Sequence, residues 1–93
     1  MVNGGKQPYF ETSLGNTVYR RFEGTVEESD LVWHRDANDR QIRVVEGQAW
    51  KLQFDNELPE ELVEGKTYFI KAQEYHRLIK GKGELTLEVI EEE

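Results

Sequence analysis

An all-β fold, a small rolled-up barrel, is predicted by three observations. Apolar residues recur at period two in short runs. Turn residues interrupt those runs at intervals typical of sandwiches and barrels. No segment carries a sustained helical period. The clearest run is Trp50, Leu52 and Phe54, with Lys51, Gln53 and Asp55 on the other side.

From the start of the chain, Met1 to Asn16 holds Gly4, Gly5, Pro8 and Gly15 and reads as an arm. It has room for a short edge strand around Tyr9 to Thr12. Residues 17–93 read as one barrel domain. Val18 and Arg20 share one side of a strand, Tyr19 and Arg21 the other, and Thr25 to Glu28 extends the pairing. Leu31 to His34 is a β-prone run, followed by a polar turn from Arg35 to Arg40. Ile42 to Val45 is the next strand, closed by Glu46 and Gly47. Asp55 and Asn56 mark a tight turn, and Pro59 to Glu64 has space for one helical turn. Tyr68 to Ile70, Tyr75 to Ile79 and Leu85 to Ile90 supply the last strands, with Lys80 to Gly83 joining the final two. Gly47 and Gly65 are expected at turns that need positive φ.

Composition narrows the function. The chain has 93 residues, suited to one domain, and a net charge of −7. Such an acidic chain repels a phosphate backbone, so a nucleic-acid partner is not expected. There is no cysteine, which excludes disulfides, thiolate zinc sites and iron–sulfur clusters. No apolar run approaches the roughly 18 residues of a membrane span, and the first residues lack an apolar signal region. A cytoplasmic protein is expected, with neither membrane nor nucleic-acid partner. The terminal run Glu91 to Glu93 reads as a frayed, solvated end.

The chemistry-bearing residues are few. The chain has 2 histidines, His34 and His76. His34 and Asp36 stand at i and i+2, which on a strand puts both side chains on one face, about 7 Å apart. His76 arrives from a distant strand, as a barrel interior allows. Two imidazoles and one carboxylate suit a divalent ion with open positions, iron(II) first, with zinc, manganese and nickel also compatible. The rival reading is a surface cluster in which Arg35 and Asp36 form a weak ion pair. Arg40 and Arg43 read either as solvated charges or as an anion grip. Trp33 and Trp50 read as packing or as a pocket wall. Tyr68 and Tyr75 are structural, or near enough to a metal to donate a proton. Gln53 faces a polar pocket if its side of the strand turns inward. The ligand-pocket candidates are therefore Arg40, Tyr68, Gln53 and Trp33.

The spacing resembles the cupin superfamily. In its first motif, G-x5-H-x-H-x3–4-E-x6-G, His34 and Asp36 fall on the paired histidines, Arg40 on the Glu and Gly47 on the last Gly, while Glu28 replaces the first Gly. In the second, G-x5-P-x-G-x2-H-x3-N, Gly65 and His76 match, whereas Lys71, Gln73 and Lys80 replace Pro, Gly and Asn. The resemblance covers Leu31 to Ile79. It implies a small double-stranded β-helix, or jelly-roll barrel, with His34, Asp36 and His76 as metal ligands. Arg40 cannot ligate, because a guanidinium is always cationic. The order His-x-Asp…His is also similar to iron- and 2-oxoglutarate-dependent oxygenases. Those enzymes carry an Arg about ten residues after the last His, and Gly83 to Glu88 has none.

The resemblance implies oxygenase or isomerase chemistry on a small polar molecule. The alternative is a metal-free binding or assembly module, taking an anion through Arg40 and His76 or a protein at a strand edge. Cupin barrels commonly pair through their N-terminal strands, so a homodimer swapping Met1 to Asn16 is expected.

Overall fold

The computed structural model describes Gln7 to Glu91. Met1 to Lys6 of the expected arm and Glu92 and Glu93 of the expected frayed end lie outside the described residues. Eight strands follow in order: β1 (Phe10–Leu14), β2 (Thr17–Phe22), β3 (Arg40–Gln48), β4 (Lys51–Phe54), β5 (Glu60–Glu61), β6 (Thr67–Ile70), β7 (His76–Ile79) and β8 (Lys82–Glu91). They form a five-stranded sheet, β1-β2-β8-β3-β6, and a three-stranded sheet, β5-β4-β7. Every pairing between these strands is antiparallel. No helix among the described residues is long and apolar enough to cross a membrane.

The register shows which residues look inward. Val18 lies opposite Val89, and Val89 opposite Ile42. Ile42 in turn lies opposite Tyr68. Phe22 faces Leu85 and Val44 faces Leu87 in the same way. Opposed residues share a face, so these rows form the inner lining of one sheet. Trp50, Leu52 and Leu62 close the core from the other side, and Trp50, Val44 and Leu85 are 0% exposed. Each such apolar side chain contributes about 1.5–3 kcal/mol on burial. The period-two stripe of Trp50, Leu52 and Phe54 thus packs inward, as expected.

Several elements differ from expectation. Leu31 to Trp33 forms no strand, and His34 makes only an isolated bridge, to His76. Leu31 is instead pulled into the core, where it is buried. Thr25 to Glu28 does not extend β2, since a 3-10 turn forms at Glu28–Asp30. β3 begins at Arg40 and runs through Glu46 and Gly47, absorbing them as register shifts between Val44 and Glu46 and between Glu46 and Gln48. Pro59 to Glu64 gives the short strand β5 and no helical turn, because Glu60 and Glu61 pair with Leu52 and Lys51.

Two glycines have separate reasons. Gly65 has φ +85° and needs its freedom, as expected. Gly47 does not have positive φ; a Cβ there would lie 2.6 Å from Leu85 Cδ1, so close packing is the reason for glycine.

Candidate metal centre

His34 and His76 meet because their main chains bond reciprocally. His34 N–H donates to His76 O at 3.0 Å, and His76 N–H donates to His34 O at 2.9 Å. In an antiparallel bridge, directly opposed residues send their side chains to one face. The ring centroids are consequently 4.3 Å apart. On the other face, the flanking residues pair as well. The Arg77 guanidinium carbon sits 4.7 Å from the Trp33 ring centroid, and that of Arg35 sits 5.1 Å from the Tyr75 centroid. Two cation–π contacts therefore brace a single rung that no continuous ladder supports.

Asp36 joins the histidines from the loop before β3. Its carbonyl accepts from Gln73 N–H at 2.8 Å, and Asp39 Oδ1 accepts from Ala72 N–H at 2.8 Å. These bonds tie the Asp36 loop to the turn that leads into β7. Gln73 has φ +67° there, a left-handed conformation at the position where the second cupin motif has Gly.

One ligand atom each from His34, Asp36 and His76 lies within 4.8 Å of the others. His76 is buried, Asp36 half-buried and His34 exposed. His76 Nδ1 lies 2.8 Å from Glu74 O, and His34 Nδ1 lies 3.1 Å from Val32 O. A carbonyl only accepts, so each Nδ1 carries the proton, and in the neutral ring Nε2 is left with its lone pair. Burial, first of several causes, pushes the His76 imidazole below its ordinary pKa and favours that neutral form.

His76 Nε2 lies 3.5 Å from Asp36 Oδ2, and that buried oxygen has no hydrogen-bond partner. Two lone-pair atoms thus face each other, an arrangement that a cation between them would relieve. Their separation is what two ligands of one ion show when each bond is about 2.1 Å. The donor set fits a divalent metal, and the exposed His34 ring is the member with room to close on it.

Arg40 stands at the motif's Glu position and is not free. Its Nη1 lies 3.4 Å from Asp36 Oδ1, and its Nη2 lies 3.3 Å from Glu91 Oε1. Asp36 therefore gives one oxygen to Arg40 and turns the other toward His76. The partner of Asp36 is Arg40, not Arg35, whose guanidinium covers Tyr75. Glu91 also accepts from Asn38 Nδ2 at 2.8 Å. That bond, and then the Arg40 charge, hold its carboxyl below the usual range. Glu91 is thus the last residue of β8 and no frayed end. The alternation of Leu85, Leu87 and Val89 puts it on their side of the strand, at the exposed end opposite Arg40, a signal readable in the sequence.

A cavity of about 260 Å³ opens beside this cluster. His34, Asp36, Arg40 and His76 line it, with Tyr9, Arg20, Phe22, Ile42, Leu78, Leu87 and Val89 among its walls. The other pocket candidates sit elsewhere. Tyr68 is buried in the core, donating to Glu61 O and accepting from Val63 N–H. Gln53 bonds Glu57 O and Arg77, on the face away from Leu52. Trp33 is on the outer side of the bridge, 41% exposed. Arg43 points outward to Glu88, at 2.8 Å, and forms no grip with Arg40. Tyr9 and Arg20, which the sequence did not mark as pocket residues, enter because β1 leads into β2 along the cavity edge.

No family model matches the sequence, and no curated protein does either. Solved structures do. A cupin-2 domain protein from Shewanella frigidimarina is 22% identical, covering 95% of this chain and 84% of that one, with a TM-score of 0.66. HppE with iron(II) and substrate is 17% identical over 90% of this chain and 52% of its own, with a TM-score of 0.67. A structure of the DMSP lyases RdDddP and RnDddQII is 16% identical over 91% of this chain and 46% of its own, with a TM-score of 0.73. This chain thus spans about half the length of the last two. What is shared at these identities is the fold.

Proposed function

We propose that this chain, a small cupin by fold, holds a divalent metal ion through His34, Asp36 and His76 and acts on a small molecule admitted to the barrel cavity. The observation that carries this reading is the buried, unpartnered Oδ2 of Asp36 facing Nε2 of His76. Iron(II) is favoured, since two imidazoles and one carboxylate suit it and HppE, of similar fold, holds iron(II). Such an ion supplies redox chemistry with dioxygen if it is iron, or polarisation of a substrate oxygen, matching oxygenase or isomerase activity.

The chain's own groups have separate tasks. Glu74 O and Val32 O fix the tautomers of the two imidazoles. Arg40 pins one oxygen of Asp36, so that the other faces the histidines. Phe22, Ile42, Leu87 and Val89 give the cavity an apolar wall. Two copies pairing through β1, at the sheet edge, complete the proposal; a monomer mass in light scattering at high concentration contradicts that pairing.

Thermal melting tests the metal reading. Chelator treatment is expected to lower the melting temperature, and added iron(II) under anaerobic conditions to restore it. The second reading is a metal-free module, favoured by Arg40, which already gives Asp36 a cation. Identical melting curves with and without chelator, together with no bound metal, would select it.

A further inference from the structure

Arg40 is held by two carboxylates at once. It lies opposite Glu91 on β8 and opposite Ile70 on β6, so its side chain shares a row with both. Ile70 offers it hydrocarbon and Glu91 a charge. Among the described residues, the carboxylates that reach the guanidinium are those of Asp36, 3.4 Å from Nη1, and Glu91, 3.3 Å from Nη2. The buried Nε has no hydrogen-bond partner. The orientation of the planar guanidinium therefore rests on those two contacts. Glu91 is anchored apart from Arg40, since its other oxygen accepts from Asn38 Nδ2 at 2.8 Å.

We propose that Glu91 is a positioning residue for the metal centre: by holding one end of Arg40, it keeps the guanidinium from taking both oxygens of Asp36. The inference rests on the metal reading and extends it from the ligands to what sets their affinity. A guanidinium and a carboxylate pair most strongly through two parallel hydrogen bonds. With Nη2 held by Glu91, Arg40 meets Asp36 through Nη1 and at Oδ1. Oδ2 stays turned toward His76 Nε2, 3.5 Å away. Without the Glu91 charge, Asp36 is the carboxylate left to Arg40. A two-bond pair then occupies Oδ2, the oxygen on which the metal reading depends. Metal and guanidinium thus compete for one oxygen, and Glu91 tips that competition toward the metal.

Calorimetric titration of the full chain with zinc tests it, with the folding of each variant checked by circular dichroism. Glu91→Gln keeps the length and shape of the side chain and removes its charge. It is expected to weaken zinc binding about tenfold, as for other groups that orient ligands. Glu84→Gln removes the same charge near the other end of β8, where Glu84 pairs with Arg21. Zinc affinity in that control is expected to stay within about twofold of wild type. In an Arg40→Met background, adding Glu91→Gln is expected to change zinc affinity by less than about twofold, because no guanidinium is left to hold. Equal weakening by Glu91→Gln and Glu84→Gln overturns the proposal. So does weakening by Glu91→Gln that persists in full without Arg40. If Arg40→Met does not fold, the comparison of Glu91→Gln with Glu84→Gln decides. Zinc bound alike by wild type and Glu91→Gln overturns this inference and leaves the metal reading standing. Wild-type protein that binds no zinc overturns both.

Discussion

His34 and His76 are joined by two main-chain hydrogen bonds, 3.0 and 2.9 Å long, and their rings lie 4.3 Å apart on the inner side of that bridge. The position of one imidazole therefore depends on that of the other. Residues from distant parts of the chain are brought together by a single rung and by the contacts that brace it.

The brace predicts a distant effect on the site. Trp33→Ala removes the ring under Arg77 without touching a proposed ligand. Divalent-metal affinity is expected to fall about tenfold, within the range known for groups that orient ligands. The stability loss is expected to be only about 0.5–1 kcal/mol. Calorimetric titration with zinc and a denaturant melt check the two together.

Asp36→Asn retains the shape of the side chain and removes its charge. Metal content is expected to fall to near zero. Stability is expected to drop by about 1–3 kcal/mol, because Arg40 loses an ionised partner. Elemental analysis of the variant beside a urea titration separates the two effects. Undiminished metal would remove Asp36 from the ligand set.

Gln73 holds a left-handed conformation at φ +67° while its N–H bonds Asp36 O. That conformation costs a residue with a Cβ about 1–2 kcal/mol, and glycine none. Gln73→Gly also gains unfolded-state entropy, a counterterm of about 0.5–1 kcal/mol. The variant is expected to be more stable by up to about 1 kcal/mol in chemical denaturation, with metal binding retained.

Acid is expected to destabilise the metal-free barrel through His76. Burial lowers its pKa in the folded state from the ordinary value of 6.5. The unfolded chain therefore takes up this proton first. The stability from keeping His76 neutral is complete above about pH 6.5 and is lost as the pH falls through the lower, folded pKa. Urea midpoints for the chelated protein across this range check the sign. His76→Gln is expected to flatten the dependence.

Much of this site was legible in the sequence, by two routes. The period-two stripes of Trp50, Leu52 and Phe54 and of Leu85, Leu87 and Val89 are local signals, and they mark the correct inward faces. His34, Asp36 and His76 were found by spacing and resemblance. The i, i+2 argument assumed a strand that does not form. What brings His34 and Asp36 together is one bridge and a loop tied by Ala72 and Gln73. Arg40 was set aside as a ligand because of its charge, yet its partners were hidden, since pairing with Glu91 depends on the β3–β8 register. Tyr68 and Gln53 were misplaced for a similar reason. Nothing local in the sequence reveals that the Tyr68 hydroxyl is committed to the main chain at Glu61 and Val63.

The most direct measurement is elemental analysis of wild-type protein purified without added metal and without chelator. About one divalent ion per chain is expected, falling to near zero in His76→Ala. Wild-type protein that is folded, carries no metal and takes up none when iron(II) or zinc is supplied would contradict a metal centre at His34, Asp36 and His76.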